Sequence, residues 1–167
     1  SEQNALMIST LLMPHGGIKV GHDDIPKLAA YFSQGCIPVI HGMPPYGYWE
    51  HLPAQGSLPP NRTDMGAYLL AEVIGARQCI YIKDVDGLYE DNPKLYPEAK
   101  FIPRIGVREL HSLDLDDLVV ERTVLDMLSR SRSVTEIQII NGLIPGNITR
   151  ALIGEHVGTI IYNDSEN

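Results

Sequence analysis

The chain has 167 residues, a formal charge of −8 at neutral pH, 44% hydrophobic and 20% charged residues. That is the balance of a soluble globular domain with a sizeable core, and the acidic sign argues against a nucleic-acid partner. No apolar run reaches the length of about 18 residues that a membrane span needs, and no charged-then-apolar leader opens the chain, so a cytoplasmic protein is expected.

Residues 3–13 carry helical apolar spacing, which predicts burial of Leu6, Leu11 and Leu12. A turn-rich connector, PHGGIKVGHDD, follows. Asp24 is placed to cap a helix with Pro26 in its first turn, running on through KLAAYF. CIPVI, 36–40, reads as a short strand. HGMPPYGYWEHLPAQGSLPPNR, 41–62, is long for a structureless loop and rich in proline, so it is either functional or mobile. Thr63 or Asp64 is placed to cap a helix over 64–75 with an apolar stripe of Ala67, Leu70, Val73 and Ile74.

CIYIK, 79–83, is a predicted strand, and it opens into KDVDGLYEDNPK, 83–94. FIPRI, 101–105, reads as extended. Residues 107–111 and 119–131 read as helices, the second with Val124, Leu125 and Leu128 inward. EIQII, 136–140, is a strand, NGLIPGN a turn, 147–155 a helix capped by Asn147, and GTIIY, 158–162, the last strand. Cys36 and Cys79 sit in apolar runs and read as buried reduced thiols rather than a disulfide.

Strands that alternate with helices and are apolar on both faces imply a parallel or mixed sheet covered on both sides. Ligands in such sheets sit beyond the carboxyl ends of the strands. KDVDGLYEDNPK, HGMPPY and NGLIPGN all fall at such ends.

Asp84, Asp86 and Gly87 match a calcium loop only in part. The third alternating ligand is missing, and Pro93 stands where a glutamate is required. Two readings of the loop remain. It is an ordinary solvated acidic turn, or it is the lip of a nucleotide site. In the second reading Lys83 and Lys94 meet phosphate, Gly87 allows close backbone approach, Tyr89 packs on base or ribose, and the carboxylates hold Mg²⁺. Asp64 is a helix cap, a carboxylate orienting lysines or metal in phosphoryl transfer, or both.

The histidines show no zinc spacing. His41 and His51 flank the aromatic loop and serve either an anion or the loop's own hydrogen bonds. Tyr46, Tyr48 and Trp49 give that loop an apolar area that a subunit or a large ligand would cover. The sequence contains neither a Walker A motif nor G-x-G-x-x-G.

Taken together, RTDMGAYLLAE (62–72), IKDVDGLYEDNP (82–93), VLDMLSRS (124–131) and NGLIPGNITRALIGEHVGTII (141–161) resemble the C-terminal half of the amino acid kinase family. Uridylate kinases of that family carry a similar TD-x-x-A helix, K-VDG-Y-x-x-DP loop and PGN-x-x-R-x-x-x-G-E-x-x-GT ending. GMPPY, PP-RTD and FIPRI narrow the resemblance to a branch of the family that builds oxyanion-storing cages. After PPY this chain has GYWEH, which resembles the subunit type of that branch without a histidine run.

The resemblance implies a three-layer α/β/α sandwich of the amino acid kinase (carbamate kinase-like) type. It makes 1–167 a single domain lacking the family's N-terminal part, with 41–62 as a loop facing the cage or a partner subunit. The implied function is an ATP-binding subunit that uses ATP and Mg²⁺ to store molybdate or tungstate as polyoxometalate clusters in a cage, expected to be an αβ hexamer. The alternatives are a uridylate-type kinase that phosphorylates UMP and a shell subunit that binds no nucleotide. The resemblance assigns the nucleotide pocket to Lys83, Asp84, Asp86, Gly87, Leu88, Tyr89, Asn92, Pro93 and Lys94, the catalytic carboxylate to Asp64, and the metal-facing positions to His41, Tyr46 and His51. The family's first phosphate-binding lysine and glycine-rich loop belong to the missing part. The piece alone is therefore expected not to be a competent kinase, and its partners to be that N-terminal half and the other subunits.

Overall fold

Helices and short strands alternate along the chain in a computed structural model that describes residues 2–43, 62–115 and 118–165. The chain divides into two units, Ser1–Ala67 and Tyr68–Asn167. Among the described residues no helix is long and apolar enough to cross a membrane.

In the first unit, helix α1 (Glu2–Leu12) precedes strand β1 (Gly17–Lys19), and helix α2 (Leu28–Ser33) precedes strand β2 (Ile37–Val39). The strands pair in parallel, Gly17 opposite Ile37 and Lys19 opposite Val39. The inward residues of α1 are Ala5 and Ser9, while Leu6 and Leu11 are 55% and 71% exposed, against expectation. Small residues let the helix lie close to the strand. A Cβ at Gly17 would come within 2.5 Å of the Leu12 side chain, so only glycine fits there. Asp24 does not cap an α-helix either. Its carboxylate accepts the Gly21 N–H at 3.0 Å and opens a 3₁₀ turn, His22–Lys27, ahead of α2.

Helix α3 (Thr63–Ile74) has Asp64 inside its first turn rather than at the cap. Its buried positions are Met65, Gly66 and Tyr68. Val73 and Ile74 are exposed and Leu70 is half-buried, so the predicted stripe is displaced around the helix.

The second unit is built on a mixed sheet of strands β3 (Ile80–Lys83), β6 (Arg104–Gly106), β7 (Glu136–Asn141) and β8 (Thr159–Tyr162), in the order β3-β7-β8-β6. β3 and β7 run parallel, β7 and β8 antiparallel, and β6 and β8 parallel. The central strand is buried on both faces, at Ile137 and Ile139 on one and Ile140 on the other, as its continuous apolar run predicts. Ile140 packs with Ala151 of helix α6 (Asn147–Leu152) and with Val157. Each such buried aliphatic side chain contributes about 1.5–3 kcal/mol.

Helix α4 (Val107–Leu113) buries Val107 and Leu110, and helix α5 (Arg122–Leu128) buries Val124, Leu125 and Leu128 as predicted. α5 is shorter than expected at its start, where Val119 takes φ 62°, outside helical geometry. FIPRI splits at Pro103. Phe101–Ile102 forms strand β5, paired antiparallel with β4 (Leu88–Tyr89), and Arg104 begins β6. Asn147 does not cap α6. Gly146 holds that position, and the buried Asn147 side chain donates to the Asn141 carbonyl at 3.2 Å.

Two contacts tie the second unit's part of α3 to the approach to β7. The buried Tyr68 hydroxyl donates to the Val134 carbonyl at 2.9 Å. The Glu72 carboxylate accepts the backbone N–H groups of Arg132, Ser133 and Val134 at 2.7–3.2 Å. Cys36 and Cys79 are half-buried.

Candidate functional site

β3 ends at Lys83, in register with Asn141 at the end of the parallel β7, so the loops after both strands leave the same edge of the sheet. The Gly142 N–H bonds to the Lys83 carbonyl at 2.9 Å. The Lys83 ammonium lies over the Tyr81 ring, 5.8 Å from its centroid. Asp84 and Asp86 are exposed. Asn141 Nδ2 donates to Asp86 Oδ1 at 2.8 Å, while Asn141 Oδ1 accepts the Leu143 N–H at 2.9 Å. One side chain thus joins the acidic loop to the NGLIPGN turn.

The rest of the loop is folded tightly onto the sheet. Gly87 has φ 144°, and a Cβ there would stand 2.3 Å from Thr159 Oγ1. Fully buried Thr159 accepts the Leu88 N–H at 2.9 Å and donates to the Ile102 carbonyl at 2.6 Å. The Leu88 side chain is completely buried, so this predicted site residue packs inside the unit and offers nothing to a ligand. Tyr89 meets Phe101 edge to face at 5.3 Å. Burial first, and then the Asp86 carboxylate beside it, raises the Tyr89 hydroxyl above its usual value, so it stays a protonated donor. Asn92 forms an Asx turn, its Oδ1 accepting the Lys94 N–H at 2.9 Å.

Between this loop and Leu113, Asp114, Leu115 and Val119 lies a cavity of about 510 Å³, within the range of about 300–1,000 Å³ of small-molecule sites. Gly87, Tyr89, Asn92, Pro93 and Lys94 line one wall, and Leu113, Leu115 and Val119 belong to the other. Lys83, Asp84, Asp86 and Leu88 are not on its surface. Glu90, Asp91 and Asp114 also line it, against the single ammonium of Lys94. Such an acidic wall disfavours a phosphate and favours an uncharged group. Among the described residues no group of three or more His, Cys, Asp or Glu is arranged to hold a metal ion. Mg²⁺ fits here only in the way it usually binds, through one or two carboxylates together with phosphate and water.

Asp64 belongs to the first unit and is half-buried in the first turn of α3. His41 follows β2 and faces His22, which follows β1. Their ring centroids are 4.4 Å apart. Tyr46 and His51, with the rest of 44–61, lie outside the described residues. Sequence reasoning missed Asn141, Thr159 and His22. The N-G dipeptide marked a turn at Asn141, but nothing local announced a partner 55 positions away.

Residues 2–141 match the amino acid kinase family. The chain is 48% identical over 161 residues to the molybdenum storage protein subunit beta of Azotobacter vinelandii (strain DJ / ATCC BAA-1303), covering 96% of this chain and 60% of that protein. It is 31% identical over 137 residues to the uridylate kinase of Hyperthermus butylicus, covering 74% of this chain and 61% of that one. Among solved structures, the UMP kinase of Bacillus anthracis superposes with a TM-score of 0.73 at 19% identity, over 98% of this chain and 66% of that one, a likeness of fold. The chain spans about 60% of the length of these two curated relatives.

Proposed function

The chain belongs to the amino acid kinase family, and from that premise we propose that it is part of an ATP-binding subunit of a protein that stores molybdate or tungstate. The observation that carries this reading is the 48% identity to a molybdenum storage subunit across 96% of the chain. The loop and cavity support it. Because the chain spans 60% of that relative, the activity is proposed for the complete protein, as a cytoplasmic assembly of several subunits, an αβ hexamer in the reading adopted here. Residues 1–167 act in it as one domain, with 41–62 as its cage-facing or partner-facing loop.

Bound ATP would supply the phosphoryl-transfer free energy for oxyanion loading, and carboxylates of this chain would hold its Mg²⁺. The roles of this chain's own residues follow from their chemistry. Tyr89, Asn92, Pro93 and Lys94 receive the nucleoside end. Lys83 offers a mobile positive charge to phosphate. Asp84 and Asp86 supply carboxylate oxygens for Mg²⁺, Asp86 with one oxygen already fixed by Asn141. Asp64 is the catalytic carboxylate of this reading. Positioning and electrostatic stabilisation do most of the work in phosphoryl transfer. The stored metal, held as polyoxometalate, is assigned to His41, Tyr46 and His51, of which Tyr46 and His51 lie outside the described residues.

The test is nucleotide binding by the complete protein. Lys83→Ala and Asp86→Ala are expected to weaken ATP binding, and unchanged affinity in both would remove the assignment. The identity to a uridylate kinase favours a second reading, in which UMP is the phosphoryl acceptor. Transfer from ATP to UMP by the complete protein decides for it.

A further inference from the structure

The turn after the central strand holds a reactive pair of residues. Asn141–Gly142 is the one Asn-Gly pair in the chain. An asparagine amide is open to attack by the backbone nitrogen of the next residue, and glycine, without a side chain, hinders that attack least. The other asparagines lack this neighbour. Asn92 is followed by Pro93, which has no N–H to lose, and Asn147 by the β-branched Ile148. Sterics hold glycine at 142, where a Cβ would stand 2.4 Å from Ile82 Cγ2. We propose that Asn141–Gly142 is a deamidation site kept intact by its bonds to the acidic loop and the sheet, and that its conversion to a carboxylate detaches Asp86.

The reaction balances with water alone. The Gly142 amide nitrogen gives up its proton and bonds to Asn141 Cγ. The bond from Cγ to Nδ2 breaks, and Nδ2 leaves as ammonia after taking a proton from solvent. Water then opens the cyclic imide at either carbonyl and gives aspartate or isoaspartate. No electron is transferred.

Three hydrogen bonds oppose the first step. The Gly142 N–H bonds to the Lys83 carbonyl at 2.9 Å and continues the ladder between β3 and β7, so the nucleophile is engaged. Asn141 Nδ2 donates to Asp86 Oδ1 at 2.8 Å, and Oδ1 accepts the Leu143 N–H at 2.9 Å. Both ends of the amide are therefore held against the rotation that turns Cγ toward the Gly142 nitrogen. Asn141 and Gly142 are only half-buried, so water and base reach them once those bonds open.

The product reverses the contact. Aspartate at 141 carries an oxygen where the amide donor stood, 2.8 Å from Asp86 Oδ1. Two carboxylates that close cannot both stay ionised without repulsion. Isoaspartate also adds a backbone carbon just where Asn141 is in register with Lys83. Either product releases the acidic loop. The loss of Mg-ATP affinity that follows is the one step that rests on the nucleotide reading above.

The test incubates the full-length protein at mildly alkaline pH, folded and in denaturant, and maps its peptides by mass spectrometry. The unfolded protein is expected to convert Asn141 ahead of Asn92 and Asn147. Folded wild type is expected to convert it at least about tenfold more slowly, because the bonds must open first. Asp86→Ala, shown to be folded by far-UV circular dichroism, is expected to convert it about fivefold faster than folded wild type. Equal rates in folded and unfolded wild type, or in folded wild type and Asp86→Ala, would overturn the inference. If Asp86→Ala does not fold, the comparison of folded with unfolded wild type decides alone. Asn141→Asp is expected to bind Mg-ATP at least about fivefold more weakly than wild type, and an equal affinity would overturn the link to Asp86. A wild type that binds no ATP would overturn the nucleotide reading and leave the deamidation result standing.

Discussion

Asn141 holds Asp86: its side-chain amide donates to the Asp86 carboxylate at 2.8 Å and anchors the acidic loop to the turn that follows the central strand. Replacing Asn141 by alanine frees that carboxylate. ATP affinity of the full-length protein is expected to fall by about 1 kcal/mol, roughly fivefold in Kd. Isothermal titration calorimetry measures it, and an affinity equal to wild type would show that Asp86 needs no such support.

Gly87 is the one loop position where the backbone demands glycine on two counts, φ 144° and a Cβ only 2.3 Å from the doubly bonded Thr159 hydroxyl. Gly87→Ala is expected to destabilise the protein by about 2 kcal/mol or more, through backbone strain and a broken hydrogen-bond pair. Chemical denaturation reads the loss directly.

Glu72 gathers three successive backbone N–H groups with one carboxylate. Glu72→Ala leaves them without that acceptor, and a loss of about 2 kcal/mol is expected, or a melting temperature lower by about 4–8 °C for a chain of this size. Burial pushes this carboxyl up, but the N–H groups of Val134, Arg132 and Ser133 outweigh it and bring its pKa below the ordinary 4.5. A depressed folded pKa gives stability that is present above the unfolded value and lost as pH falls through the folded one. The gap between wild type and Glu72→Ala should therefore narrow on acidification below about pH 4.5. A gap that stays constant down to acid unfolding would contradict the account.

Tyr68 gives the opposite sign. Its buried hydroxyl is pushed up to about 12, chiefly by desolvation. A raised folded pKa gives stability that is complete below the unfolded value, near 10, and lost as pH rises through the folded one. Wild type should lose stability between pH 10 and 12 more steeply than Tyr68→Phe, in thermal melts over that range.

The strands were legible because CIYIK, EIQII and GTIIY are runs of β-forming apolar residues between turn signals. The direction in which α1 faces was not. Leu6 and Leu11 mark an apolar stripe, yet the side turned inward carries Ala5 and Ser9, because close approach rewards small side chains and periodicity does not say which face meets a neighbour. The start of α5 was misread for a different reason. Nothing in the sequence required Val119 to take a positive φ. The loop at 83–94 could be picked out from its charges and glycine, but its support could not. Asn141 and Thr159 reach it across 55 and 71 positions, and His22 meets Met43 across 21. Local sequence carries no record of such contacts.

The function proposed for the complete protein requires that nucleotide binding and oxyanion storage be coupled. The direct measurement is molybdenum per chain in the full-length protein after incubation with molybdate, with and without Mg-ATP, for wild type and Asp86→Ala. Retention of molybdenum through gel filtration that requires ATP and is lost in Asp86→Ala is the predicted result. Absence of retained molybdenum in wild type, or retention indifferent to both ATP and Asp86, would contradict it.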